Sequence, residues 1–181
     1  MTKDNLYSNY TQLLVKVDEA FAAVSTRHSQ SFSCGPGCFS CCRSGLSVLP
    51  VEAEYIKDWL QNNPAVKSMI KDKKTMMNAV SHCGFLDNKG CCVIYEARPI
   101  ICRSHGAPIS WTDPEQVPAV SKESRDVCPL NFKGEDIYAL DGQDVISLDK
   151  LNTLLSLINR HITQSDDATR VPLQGICDGI I

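Results

Sequence analysis

The stretch from Ser33 to Gly45 constrains this chain more than any other: it places Cys34, Cys38, Cys41 and Cys42 within nine residues. A thiol packs as a small, mostly apolar group, and no packing requirement asks for four so close together. Thiolates converging on a soft metal do ask for it. Gly35, Pro36 and Gly37 keep the backbone there out of a regular helix, which lets it wrap so that several sulfurs point at one centre.

The chain has 181 residues, with ten cysteines, 22% charged residues and a formal net charge of -3. That length suffices for a single domain over 1–181 with its own hydrophobic core. The charge balance offers no basic field for nucleic acid. No apolar run approaches the roughly 20 residues of a membrane span, so no membrane association is expected. The start, Met-Thr-Lys-Asp-Asn-Leu-Tyr, lacks the apolar core of a secretion signal. A reducing cytoplasm is therefore the expected location, where ten cysteines point to metal or redox chemistry ahead of disulfides. A disulfide framework is the competing reading.

Leu6, Tyr10, Leu13, Val17, Phe21 and Val24 recur at helical spacing and predict an amphipathic helix over 4–27. His28 follows as a cap or surface residue. Leu46–Leu49 reads as one short strand, and Pro50 starts a helix with Ile56, Trp59 and Leu60 inward. Asn63-Pro64 marks a break, and the next helix is expected to reach about Val80, with Met76 and Met77 as core filler. Asp87-Asn88-Lys89-Gly90 signals a turn between two short apolar pieces, and Pro99 opens about one helical turn carrying Cys102. Ala107–Val127, interrupted by Pro108, Pro114 and Pro118, reads as an irregular flap. Ile137–Ile146, centred on Asp141-Gly142, predicts a hairpin. Ser147 caps a final helix over 148–163, with Leu148, Leu151, Leu155, Ile158 and Ile162 as its stripe.

Thiolates two to four residues apart are the local unit of zinc sites and iron–sulfur clusters, and Cys38-x-x-Cys41 is such a pair. Cys34 or Cys42 adds a third ligand, and Cys92 and Cys102 complete a site from a distant segment. Adjacent side chains diverge by roughly 100° in a helix and about 180° in a strand. Cys41 and Cys42 therefore have different roles, as do Cys91 and Cys92. A centre bound by thiolates carries net negative charge, and Arg98 and Arg103 flank Cys102, placed to offset it. Surface ion pairing is the alternative role for each. His82 and His105 lie near proposed ligands, where a mixed Cys/His site competes with supporting roles. Cys34-x3-Cys38-x2-Cys41 has the spacing of the radical S-adenosylmethionine motif, but Ser40 stands where an aromatic residue usually precedes the third cysteine. His82-Cys83 opens no phosphatase loop, since Lys89 occupies the arginine position.

Cys38-Phe-Ser-Cys41-Cys42, Cys83-Gly-Phe-Leu, the block Cys92-Val-Ile-Tyr-Glu-Ala-Arg98-Pro99-Ile-Ile-Cys102-Arg103 and the later Cys128 together resemble the zinc- or iron-chelating cysteine-cluster family. That family has a CxxCxxCC opening and a C-x-IYExRPxxCR block. The resemblance implies that Cys34, Cys38, Cys41, Cys42, Cys83, Cys92, Cys102 and Cys128 are the metal ligands, within a core over 34–128. It leaves Cys91 and Cys177 as accessory thiols. The first gap here is three residues where the family more often has two, which puts Cys34 in question. Relatives among flagellin lysine N-methylases look like iron–sulfur proteins, so the resemblance also implies a methyltransferase-like alternative.

The reading is a mainly α single irregular domain with small β-hairpins, clipped by a cysteine-bound metal centre. Its cofactor is zinc or iron, the latter as an ion or an iron–sulfur cluster. The expected role is structural or electron transfer, with a redox or protein partner. The alternative is a metal-dependent oxidoreductase or lysine methyltransferase-like enzyme. The sequence fixes neither a substrate nor an oligomeric state.

Overall fold

The computed structural model describes residues 6–35, 37–74, 82–112 and 123–179, of which about half are helical and a few form short strands. Helix α1, Ser8–Arg27, buries Tyr10, Leu13, Leu14, Val17 and Val24. Leu6, assigned to its inward stripe, is instead 40% exposed. Strand β1, Ser47–Val48, leads into α2, Pro50–Asn62, whose first position is the proline. The α2 end is closed by Asn63 Nδ2 donating to the Trp59 carbonyl at 2.8 Å. Helix α3, Pro64–Lys74, restarts as expected. Its predicted extension, with Met76, Met77 and Val80, lies outside the described residues.

A 3-10 turn, Tyr95–Ala97, precedes α4, Ile100–Ser104, which is the single turn carrying Cys102. Strand β2, Ile109–Trp111, pairs antiparallel with β3, Ser124–Asp126, and parallel with β4, Ile146–Ser147. The ends of the segment expected to be irregular are therefore strands, and the centre of the expected flap, 113–122, lies outside the described residues. Helix α5, Leu148–Thr163, starts where Ser147 Oγ accepts from the Lys150 amide. Strand β5, Val171–Pro172, pairs with β1, and α6, Leu173–Asp178, ends the described chain. No helix among the described residues is long and apolar enough to cross a membrane.

The hairpin expected over Ile137–Ile146 is two 3-10 turns, Ile137–Ala139 and Gly142–Asp144. Asp136 Oδ1 accepts from the Tyr138 amide at 3.0 Å and fixes the first turn. Arg125 Nη1 donates to the carbonyls of Ile137 at 3.0 Å and Leu140 at 2.8 Å, acceptors that a strand ladder would need. Ile146 pairs with Ile109 instead.

Two apolar clusters hold these elements. One gathers Val48, Ile56, Leu60, Phe85, Ile94, Leu173 and Ile176, and the other joins Tyr10, Leu13, Val17, Val51, Ile100 and Leu155. Tyr55 packs on both. Glu52, 1% exposed, is buried against the second of them, at Leu49 and Ile100. Its Oε2 accepts from the Leu49 amide at 2.9 Å and its Oε1 from the Ile100 amide at 3.0 Å. One buried carboxylate thus starts α2 and seats the first residue of α4, two positions before Cys102.

Candidate metal centre

The cysteine-rich loop is a chain of tight turns. Cys38 N–H bonds the Gly35 carbonyl at 3.0 Å, and Cys42 N–H bonds that of Phe39 at 2.9 Å. The second cysteine segment is joined to it through backbone: Cys83 N–H reaches the Cys42 carbonyl at 3.0 Å, and Arg43 bridges His82. Across the 87–90 turn, Asp87 Oδ1 accepts from the Lys89 and Cys91 amides, both at 2.8 Å. Val93 N–H then returns to the Phe85 carbonyl at 2.8 Å. The expected hairpin is present, with Leu86 and Cys92 as its one isolated bridge.

These contacts bring the distant thiols around one cavity of about 1050 Å³. Cys34, Cys38, Cys41, Cys42, Cys83, Cys91, Cys92 and Cys102 line it, with Phe21, Phe85, Ile94 and Leu173 as apolar wall. Cys128 is not on that wall, though it acts electrostatically on Cys34. No disulfide joins any of the ten cysteines, which removes the disulfide framework. Among the described residues, no three His, Cys, Asp or Glu side chains are gathered closely enough to hold an ion as they stand. The sulfurs ring a space wider than an ion, and ligation requires them to move inward.

Within the ring, Cys42, Cys83, Cys92 and Cys102 act electrostatically on one another. Burial pushes the Cys92 thiol up to about 11 and that of Cys102 to about 12, with the neighbouring sulfurs adding to the rise. The adjacent thiols Cys41 and Cys42 perturb each other in opposite directions, the first raised and the second lowered. Of the other adjacent pair, Cys92 sits among the thiols and Cys91 is exposed. Cys177 is 1% exposed in the first apolar cluster, away from the cavity wall.

The two arginines divide. Arg98 lies over the Tyr95 ring, 3.6 Å from its centroid, and its charge acts on Cys41, Cys92 and Cys102. Arg103 also lines the wall but is 8% exposed and ion-paired with Asp18. It further donates to the Glu96 carbonyl, and through Nε to that of Arg98 at 2.7 Å. Its charge is already paired, and its contacts fasten α4 to α1 and hold the Arg98 backbone. His82 packs edge-on to Phe39, and His105 is on the cavity wall.

Sequence reasoning missed three supports. Glu52 carried a signal, a glutamate at the third position of a helix opened by proline. Asn131 carried none: it is 2% exposed, and its Nδ2 donates to Cys34 Sγ at 3.2 Å. The third is Phe39, whose ring covers Gly90 so closely that a Cβ there would lie 2.4 Å from Cδ1. Gly90 has φ +79°, as does Gly134, around which nothing lies within 4 Å. Both Gly90→Ala and Gly134→Ala are therefore expected to cost the ~1–2 kcal/mol of left-handed backbone. Only Gly90→Ala also unseats Phe39, which ties the 38–41 turn to the 87–90 turn. Urea unfolding of the two variants checks this, and an equal loss would show that the Phe39 contact contributes nothing.

A protein-family model that bears the name of a zinc- or iron-chelating domain, CxxCxxCC, matches residues 33–129, more than half of the chain. No curated protein and no solved structure matches it significantly.

Proposed function

This chain belongs to the CxxCxxCC family, and from that premise we propose that it holds zinc or iron through the thiolates of its cysteine cluster, in a structural or electron-transfer role. The observation that carries the reading is the convergence of unbridged thiols from three separate segments on one cavity, with Arg98 against them. The donor set fits the metal: thiolates suit zinc, iron and iron–sulfur clusters. Cys42, Cys83, Cys92 and Cys102, which act electrostatically on one another, supply a four-thiolate set, with Cys41 beside Cys42 in the chain. Cys34, Cys38 and Cys128 complete the family's eight. A bound metal supplies either a fixed cross-link or an electron carrier. The chain supplies thiols that give up their protons to it, a guanidinium that offsets the resulting charge, and an apolar wall that keeps water away.

Metal content and the visible spectrum of protein purified without oxygen test this. Brown protein with iron and labile sulfide identifies a cluster, and colourless protein with zinc identifies a structural site. A sample holding neither metal, and taking up neither on reconstitution, contradicts the reading. The second reading, a metal-dependent oxidoreductase or lysine methyltransferase-like enzyme, draws support from the cavity's size. About 1050 Å³ is larger than an ion needs and at the upper end of small-molecule pockets.

A further inference from the structure

The backbone sets two thiols from distant segments face to face. Arg43 and His82 form an antiparallel bridge. Along such a pair the two chains step in opposite directions. The residue before Arg43 therefore meets the residue after His82, which places Cys42 opposite Cys83. The Cys83 N–H donates to the Cys42 carbonyl at 3.0 Å, a bond that this register requires. Side chains directly opposite each other share a face of the pair, and both thiols line the cavity. Residues so opposed have Cα atoms about 4.5–5.5 Å apart, inside the roughly 4.4–6.8 Å that a disulfide spans.

The competing cysteines are placed differently. In the second segment, Leu86 is the bridge partner of Cys92, and the Asp87 N–H donates to the Cys91 carbonyl at 2.7 Å, so neither meets a cysteine across that hairpin. In the first loop, Cys38-x-x-Cys41 is the local competitor, and Cys38 Sγ lies 3.8 Å from Ser40 Oγ. Cys177 Sγ lies beside Gly84, 2.6 Å from where a Cβ would stand, but Cys177 is 1% exposed and shielded from an oxidant in solution. Cys42 and Cys83 are half-buried on the cavity wall, within reach of a small one.

We propose that Cys42 and Cys83 are a modification site, which a hydroperoxide oxidises to a disulfide that discharges the metal. One thiolate attacks a peroxide oxygen, the O–O bond breaks, and a sulfenic acid forms as water or an alcohol leaves. The other thiol gives up its proton, attacks the sulfenic sulfur and expels water. Two thiol hydrogens and two electrons thus pass to the peroxide. Both sulfurs belong to the four-thiolate set, and once bonded to each other neither is an anionic ligand. The new bond joins the first cysteine loop to the second segment, so it takes over the cross-link that the metal made. A small dithiol reverses the exchange and restores both ligands. The proposal rests on the chelating reading above and adds its regulation.

Disulfide mapping tests this. Metal-free protein, reduced and then treated with one equivalent of hydrogen peroxide, is alkylated, digested and read by mass spectrometry. The main cross-link is expected to join the Cys42 peptide to the Cys83 peptide. Cys83→Ser is expected to lose it and to hold Cys42 as a sulfenic acid that dimedone traps, while Cys91→Ser forms it undiminished. Zinc-loaded wild type is expected to lose its metal to a coloured zinc indicator at the same peroxide dose, and to take zinc up again after dithiothreitol. The mapping is done on the wild type, so it decides the pair even where a variant fails to fold. A main cross-link at Cys38–Cys41 or Cys83–Cys177, or none, overturns the proposal, as does zinc retained by protein in which the Cys42–Cys83 bond has formed. Reduced protein that takes up no zinc or iron refutes the chelating reading instead, and the cross-link map still decides the pair.

Discussion

Stripping the metal from the loaded protein with a chelator is expected to speed amide exchange across residues 33–45 by about 100-fold or more, equivalent to ~2.7 kcal/mol of local stability. None of the described residues in that segment is buried, and tight turns with one isolated bridge are its order. Thiolate ligation is the strongest tie available to it, and the energy of binding a structural metal is largely folding energy. Residues 82–98 are expected to respond less, because Phe85, Ile94 and Ala97 anchor them in the first apolar cluster. Helices α1, α2 and α5 are expected to respond least, since the apolar cluster of Tyr10, Leu13, Val17, Val51 and Leu155 holds them to one another. Mass-spectrometric hydrogen exchange with and without chelator reads this gradient. Equal acceleration in all three regions would show that the metal supports the whole fold, and no acceleration in 33–45 would show that those cysteines are not ligands.

Glu52→Ala is the point substitution expected to do most damage, at about 3–5 kcal/mol, or a fall of roughly 10 °C in melting temperature for a chain of this size. Burial pushes the Glu52 carboxyl above its usual range, and the Leu49 and Ile100 amides oppose that shift by bonding the ionised form. Alanine leaves two buried N–H groups without an acceptor and opens a void beside Leu49 and Ile100. The Ile100 amide is the first of α4, so the loss also loosens the turn that carries Cys102. Glu52→Gln keeps one acceptor oxygen and turns an NH2 toward the other amide. It is expected to fall between the wild type and alanine in thermal unfolding. A melting temperature unchanged by Glu52→Ala would remove this carboxylate from the account.

The helices were legible because their signals are local: Pro50 at a helix start, Asn63-Pro64 at a break, Ser147 as a cap and apolar stripes at helical spacing. The Asp87–Gly90 turn was legible for the same reason, a short side chain accepting from its own backbone. What failed was long-range. Asp141-Gly142 has hairpin chemistry, yet Arg125 takes the carbonyls of Ile137 and Leu140, and β2 takes Ile146. No local pattern announces that competition. The convergence of cysteine segments on one cavity was legible from residue type and spacing, since few other arrangements use so many thiols. Their supports were not, because Asn131 reaches Cys34 across 97 positions and Arg103 pairs with Asp18.

The most direct test of the central claim is X-ray absorption fine structure at the edge of whichever metal the purified protein carries. Thiolate ligation predicts a first shell dominated by sulfur at about 2.3 Å, with at most a minor nitrogen contribution near 2.0–2.1 Å from His105. A first shell of nitrogen and oxygen alone would contradict it, because the metal would then be held by something other than the cysteines that line this cavity.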